Sequence, residues 1–255
     1  QLYQQAEKGG DACVPISSVQ LISPIPHPGD FLCIGLNYQT HASAVAKERG
    51  EVYKPNKEPA YFSKRTFTCT TDGDSILQKD GYLESLEGGA ELAIIIGKDA
   101  LNVSREDAWD YILGYSVHND LCELTTNKLY VQPMQAKSFD GYAPVGPWIV
   151  TADEFGKDHV WRIQLSIGGE LRADDTTDHM SFDIPYMVSQ LSTHMTLKAG
   201  TIIASGSPGE TLPGIAPKHY PLPGEDFVCT IEGIGSLTTH VVAGEISPPY
   251  SDKVM

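Results

Sequence analysis

Glu91-Leu92-Ala93-Ile94-Ile95-Ile96-Gly97-Lys98 is the most strongly apolar run of the chain. Consecutive β-branched isoleucines, bounded by a charged residue on one side and closed by a glycine on the other, read as a strand. The run is far shorter than the ~20 residues that span a bilayer, so no membrane-crossing helix is expected. Working outward, runs of similar length and character occupy 31–35, 114–120, 147–151, 161–167 and 201–205. Two more, 227–232 and 236–242, flank Gly233-Ile234-Gly235 as a hairpin would.

Helical spacing is rarer. It is expected over 41–49, over 104–113, and over 184–195, where Ile184, Met187, Val188, Leu191 and Met195 recur on one face as core packing. Asn102-Val103-Ser104 matches a glycosylation sequon. Ser104 with Asp107 three residues on reads better as the N-cap box of the second helix. The pattern predicts a mainly β protein with a few helices on its surface, a sandwich or roll of mixed sheets.

At 255 residues, without a repeat or linker, one large domain is the simpler organisation. Residues 1–30 read as a lead-in arm. Its end, Ser23-Pro24-Ile25-Pro26-His27-Pro28-Gly29-Asp30, has proline at alternate positions and excludes both helix and central strand. Residues 31–255 then read as the main folded domain. A 41% hydrophobic share with 20% charged residues is that of a folded protein. The excess of 33 acidic over 18 basic residues, a net charge of −15, repels nucleic acid and anionic membranes, which leaves a small molecule as the expected partner. The start QLYQQAEKGG has neither a basic nor an apolar leader segment. Five scattered cysteines without a CxxC fit reduced thiols, so a cytoplasmic location is expected.

No GxGxxG after a strand, GxxxxGK[ST], HExxH or strand-to-helix GxSxG occurs, which lowers dinucleotide, P-loop, zincin and α/β-hydrolase chemistry. Polar residues near strand ends remain: His41, Glu91, Asp120, Lys137 and the turn Gly206-Ser207-Pro208-Gly209. They sit in an ordered series that begins with Cys33-Ile34-Gly35-Leu36-Asn37-Tyr38-Gln39-Thr40-His41 and Tyr61-Phe62-Ser63-Lys64. The run quoted first comes next, followed by Gly114-Tyr115-Ser116-Val117-His118-Asn119-Asp120, Lys137-Ser138-Phe139-Asp140 and Ser205-Gly206-Ser207-Pro208. Taken together, over about residues 31–243, this series closely resembles the fumarylacetoacetate hydrolase family.

The resemblance implies the mixed β-roll of that family's C-terminal domain, commonly dimeric. It also implies Mg²⁺ or Mn²⁺ on a Glu-x-Glu pair and a later Asp, where the metal stabilises the enolate of a 2-oxo acid or 1,3-dicarbonyl. On that basis Glu91 and Asp120 are metal ligands, and His41 and Lys137 are catalytic. Asn127, His118, Ser207 and Lys64 bind substrate, with Lys64 the weakest candidate because a lysine is ordinarily at the surface.

The departures are specific. The first carboxylate of the pair is Gly89, and Glu87 is off the spacing, so metal binding is expected to be weak or absent. The glutamate that activates water three residues after the histidine is Ala44, with Glu48 further along as a replacement only if the segment folds back. The family's substrate-facing Arg and Gln positions are Leu124, Asn127 and Ala173, which implies a less polar pocket shaped by the loops 47–57 and 125–135. The expected function is therefore a non-hydrolytic isomerisation, cyclisation, tautomerisation or decarboxylation of an enolisable carbonyl. The alternatives are a metal-dependent C–C hydrolase or oxaloacetate-type decarboxylase, and an inactive ligand-binding homologue.

Overall fold

In a computed structural model, which describes residues 14–79, 85–124, 133–215 and 218–244, the Ile-rich run forms strand β5 (Ala90–Ile96), with every residue buried. Side chains alternate across a strand. Leu92, Ile94 and Ile96 enter the main core, while Ala93 and Ile95 enter a second, smaller one with Phe31, Cys33, Ile202 and Val145. A strand covered on both faces needs no polar alternation, which explains the continuous apolar run.

β5 lies inside a six-stranded mixed sheet in the order β2 (Ala60–Ser63), β1 (Phe31–Gly35), β11 (Ile202–Ala204), β5, β6 (Ile112–Asn119), β8 (Val145–Thr151). Only β1 and β11 run parallel in it. A five-stranded sheet of β10 (Glu170–Thr176), β9 (Arg162–Ile167), β12 (Asp226–Ile231), β13 (Gly235–Gly244) and β3 (Asp74–Lys79) packs against it. Ile163, Leu165, Phe227, Cys229 and Ile231 meet the β5 side chains in the main core. Two short strands, β4 (Leu86–Glu87) and β7 (Cys122–Glu123), form a separate pair. The mainly β, mixed-sheet architecture is the expected one.

Helix α1 (Gln39–Glu48) follows β1, α2 (Pro133–Ala136) precedes Lys137, and α3 (Ile184–Ser192) covers the main core. Asp183 caps α3 by accepting from the Tyr186 N–H at 3.0 Å, with Pro185 in the first turn. Two expectations are corrected. α3 stops at Ser192, so Met195 leaves the apolar stripe and is 42% exposed. The helix expected over 104–113 is one 3₁₀ turn, Ala108–Tyr111, because β6 already claims Ile112 and Leu113 for its ladder. The Ser104–Asp107 pairing is nevertheless present: the Ser104 hydroxyl accepts from Asp107 N at 3.1 Å and donates to its carboxylate at 2.9 Å.

β3 and β10 lacked an apolar signal. β10 is an edge strand with polar residues on its outer face, and its register shifts between Leu171 and Ala173. The segment just before β1 is pinned to the rest of the fold, with Cys69 N donating to Pro26 O at 2.8 Å and Gly29 N to Gly200 O at 3.2 Å. Among the described residues, no helix is long and apolar enough to cross a membrane.

Candidate active site

The β5–β6 ladder sets the centre of the site. Glu91 is paired with His118 and Ala90 with Asn119, and just beyond them Asp120 N donates to Gly89 O at 2.8 Å. Gly89, Glu91 and Asp120 are thereby held at one end of the sheet. β11 ends beside them and turns through Ser205-Gly206-Ser207-Pro208-Gly209. Gly206 has φ +83°, and a Cβ there would lie 2.9 Å from Asn37 Cβ, so the turn requires glycine. In that conformation Gly206 N donates to Glu91 Oε2 at 3.0 Å.

α1 delivers His41 to the same turn. Its Nδ1 lies 3.1 Å from Ser207 O, so the neutral ring donates from Nδ1 and keeps Nε2 as a base. Gly209, at φ +69°, packs against the imidazole: a Cβ there would sit 2.8 Å from His41 Cδ2. Lys64, at the end of β2, donates to Asp120 Oδ1 at 2.5 Å and to Leu121 O at 3.2 Å. Lys137, following α2, donates to Asp120 Oδ2. His118 donates from Nδ1 to Pro144 O at 2.8 Å and packs on Phe31, with ring centroids 4.8 Å apart. Its Nε2 lies 3.8 Å from Asp120 Oδ1, beyond hydrogen-bond reach.

A cavity of about 390 Å³ opens onto this cluster, lined among others by His41, Glu91, Asp120, Lys137, Ser207 and Leu124. Five of the singled-out side chains are therefore brought together. Lys64 and His118 are buried behind Asp120 and do not line the cavity. The surface position expected for Lys64 is thus corrected: at 3% exposure it serves as a buried partner of the aspartate. Ala173 belongs to the main core and not to the cavity wall, and Asn127 lies outside the described residues. Glu87 lines the cavity, but Lys218 holds its carboxylate at 2.5 Å. Glu48 shares the cavity with His41, and no hydrogen bond joins them. Lys218, Glu210 and Arg49 also line it, and the sequence carried no signal for them.

The electrostatics follow from burial against pairing. Burial opposes ionisation of Asp120, but the flanking Lys137 and Lys64 overcome it and hold the carboxyl well below the usual range. Burial works against the Lys137 charge too, and Asp120 overrides it, raising that pKa. Glu91 goes the other way. Burial, reinforced by the Asp120 charge, pushes it up to about 8 against the pull of Lys137, Lys64 and the Gly206 N–H. At neutral pH Glu91 is mostly protonated, so the two lysines face a single negative charge, a surplus suited to an anionic ligand. Burial lowers the His41 pKa against the effect of Ser207 O, which leaves the imidazole neutral.

As hard oxygen donors, Glu91 and Asp120 suit Mg²⁺ or Mn²⁺ in kind. They do not fit in number or in state. Gly89 supplies no ligand, a Cβ there would lie 2.8 Å from Ser207 Oγ, and both Asp120 oxygens already accept from ammonium groups. Among the described residues, no three His, Cys, Asp or Glu side chains are grouped to hold a metal.

Residues 30–242 match the family profile described as Fumarylacetoacetate (FAA) hydrolase C-terminal. The chain belongs to the fumarylacetoacetate hydrolase family. Oxaloacetate tautomerase YisK of Bacillus subtilis (strain 168) is 33% identical to it over 246 residues, which cover 94% of this chain and 80% of that protein. The crystal structure of 5-carboxymethyl-2-hydroxymuconate delta-isomerase from Mycobacterium smegmatis superposes with a TM-score of 0.74 at 31% identity, covering 91% of this chain and 85% of that one. Maleylpyruvate hydrolase from Sphingobium sp. SYK-6, solved with manganese (II) ion and pyruvate, gives 0.73 at 28% identity, covering 91% and 76%. With a tautomerase and an isomerase among its relatives, this fumarylacetoacetate hydrolase-family chain is an enzyme of the isomerase or lyase type.

Proposed function

We propose that this enzyme moves a proton on an enolisable carbonyl compound, an anionic 2-oxo acid or a close analogue, and isomerises or tautomerises it without hydrolysis. One observation carries the reading: His41 is oriented by a backbone carbonyl, Ser207 O, and not by a carboxylate, within a cavity that also presents the Lys137–Asp120–Lys64 cluster. A dyad that strips a proton from water needs a carboxylate behind the imidazole. A neutral imidazole suffices to shuttle a proton to and from an acidified carbon.

In this scheme the substrate's anionic end meets Lys137, whose charge Asp120 maintains. His41 Nε2 takes the proton from the carbon next to the carbonyl. The electron pair of that C–H bond moves to the carbonyl oxygen, and Lys137 and the protonated Glu91 stabilise the enolate by hydrogen bonds. The imidazolium returns its proton to the other terminus of the enolate, so no water is consumed. Ser207 supplies a polar contact at the mouth of the turn. Lys64 and His118 act through Asp120, and Asn127 remains a candidate substrate contact. The arm of residues 1–30, a homodimer and a cytoplasmic setting belong to the same proposal. The last is supported by the buried free thiols Cys33, Cys69, Cys122 and Cys229.

The test is deuterium exchange. Incubated in D₂O with oxaloacetate or an acylpyruvate and followed by proton NMR, the enzyme is expected to exchange the carbon-bound protons without releasing a cleaved acid, and His41→Ala to stop the exchange. Cleavage keeping pace with exchange selects the hydrolase reading. Binding with no exchange selects the inactive ligand-binding homologue.

A further inference from the structure

Arg172 is only 1% exposed, although it belongs to the edge strand β10 and does not line the reaction cavity. Counted back from Ala173, which enters the main core, strict alternation would turn Arg172 outward with Asp174. The register shift in β10 supplies the exception. Leu171 is paired with Ser166 and Ala173 with Leu165, so Arg172 is the extra residue of a β-bulge, and both Arg172 and Ala173 are buried. A bulge re-aims the side chain it carries. Here the guanidinium is brought to Glu210: Nε donates to Glu210 Oε2 at 2.7 Å, and Nη2 lies 2.6 Å from the same oxygen. The backbone adds a second tie, with Leu212 N donating to Arg172 O at 3.2 Å.

Glu210 directly follows the turn that holds His41. Ser207 O accepts from His41 Nδ1, and Gly209 packs against the imidazole. Thr211 braces the same turn, donating from N to Gly209 O at 3.0 Å and from its hydroxyl to Pro208 O at 3.2 Å. Upstream, β11 and the Gly206–Glu91 bond fix the turn. Downstream, Arg172 fixes it. We infer that Arg172 is a positioning residue for His41: through Glu210 it holds Ser207 O where that carbonyl selects the Nδ1–H tautomer and leaves Nε2 as the base. The inference rests on the proposed reaction, in which Nε2 takes the proton. Arginine suits the task better than lysine, because N–H groups set in one rigid plane fix the direction of the carboxylate as well as its distance. The bond is also shielded from solvent, with side-chain exposures of 1% for Arg172 and 8% for Glu210.

The test reads the His41 ring itself, so that it does not depend on turnover. In protein carrying nitrogen-labelled histidine, proton–nitrogen correlation spectra at neutral pH distinguish the two neutral tautomers, and the signals missing from His41→Ala single that residue out among the eight histidines. The wild type is expected to show the Nδ1–H form. Arg172→Met should mix the tautomers and lower kcat for proton exchange by about 10- to 10²-fold with KM little changed, the effect of a displaced catalytic group. Arg172→Lys, which keeps the charge and loses the fork, should restore part of both. Arg172→Met strands the Glu210 carboxylate, so the double variant Arg172→Met with Glu210→Met removes both buried charges; it should melt close to the wild type and still show mixed tautomers and the low kcat. A His41 ring that stays in the Nδ1–H form in the double variant, or a wild-type kcat there, overturns the positioning role and leaves Arg172 a merely stabilising residue. A tautomer that depends on Arg172 in a protein that performs no deuterium exchange would reject the proposed reaction while leaving this role standing.

Discussion

Gly89 and Ser207 face each other so closely that a Cβ added at Gly89 would lie 2.8 Å from the Ser207 hydroxyl oxygen and 2.9 Å from its Cβ. The glycine is thus more than a missing ligand: the serine already occupies the space into which a side chain at 89 would start.

Gly89→Glu alone is accordingly expected to destabilise the protein by about 1–3 kcal/mol, the usual cost of overpacking a closed site. The pair Gly89→Glu with Ser207→Gly should recover much of that loss and bind Mn²⁺ more tightly than the wild type. Urea unfolding and calorimetry with Mn²⁺ on the three proteins check both halves. A single Gly89→Glu variant of wild-type stability with tight Mn²⁺ binding would show that Ser207 yields freely.

Glu91 makes stability depend on pH. Its folded pKa of about 8 lies above the unfolded value near 4.5, so the native state binds the extra proton between them. Stability from this group is full below about 4.5 and falls as pH rises toward about 8. Glu91→Gln, which keeps a neutral hydrogen-bonding group, should flatten that slope. Above the window it should be more stable than the wild type by an amount on the order of a few kcal/mol. Unfolding curves at acid and alkaline pH for both proteins would contradict this if their slopes were parallel.

The rate of proton exchange should be bell-shaped. On the acid side it falls as His41 is protonated, below the ordinary imidazole value because burial lowers that pKa. On the alkaline side it falls as Glu91 loses its proton near pH 8. His41→Ala should cost about 10²–10⁴-fold in rate, and Glu91→Gln should remove the alkaline limb only. An alkaline limb that persists in Glu91→Gln would assign it to another group.

The two lysines on Asp120 should separate in mutants. The Lys64 side chain is fully buried, so Lys64→Ala leaves the aspartate short of a partner and opens a void, with a loss of about 3–5 kcal/mol of stability. Lys137 is 16% exposed and lines the cavity, so Lys137→Ala should lower kcat by about 10²–10³-fold with a smaller stability loss. Thermal melts beside exchange rates measure both, and equal effects on stability and rate from the two variants would argue against divided roles.

What the sequence determined by itself was local or carried by motif order. The run 92–96 declared a strand because burial on both faces leaves only apolar residues there, and the glycines at 233 and 235 marked the β12–β13 hairpin because both take positive φ. His41, Glu91, Asp120, Lys137 and Ser207 were legible through the order of the motifs that carry them; the β5–β6 ladder and the turn after β11 then bring Glu91, Asp120 and Ser207 together, while α1 carries His41 and Lys137 follows α2. The edge strand β10 was not legible, since its outer residues answer to solvent and not to the core. Only the tertiary structure placed Lys64 under Asp120, tied Lys218 to Glu87, and set Arg172 against Glu210. These relationships link segments far apart in the chain. A lysine or arginine reads as a solvent residue until the fold buries its stem or surrounds its charge.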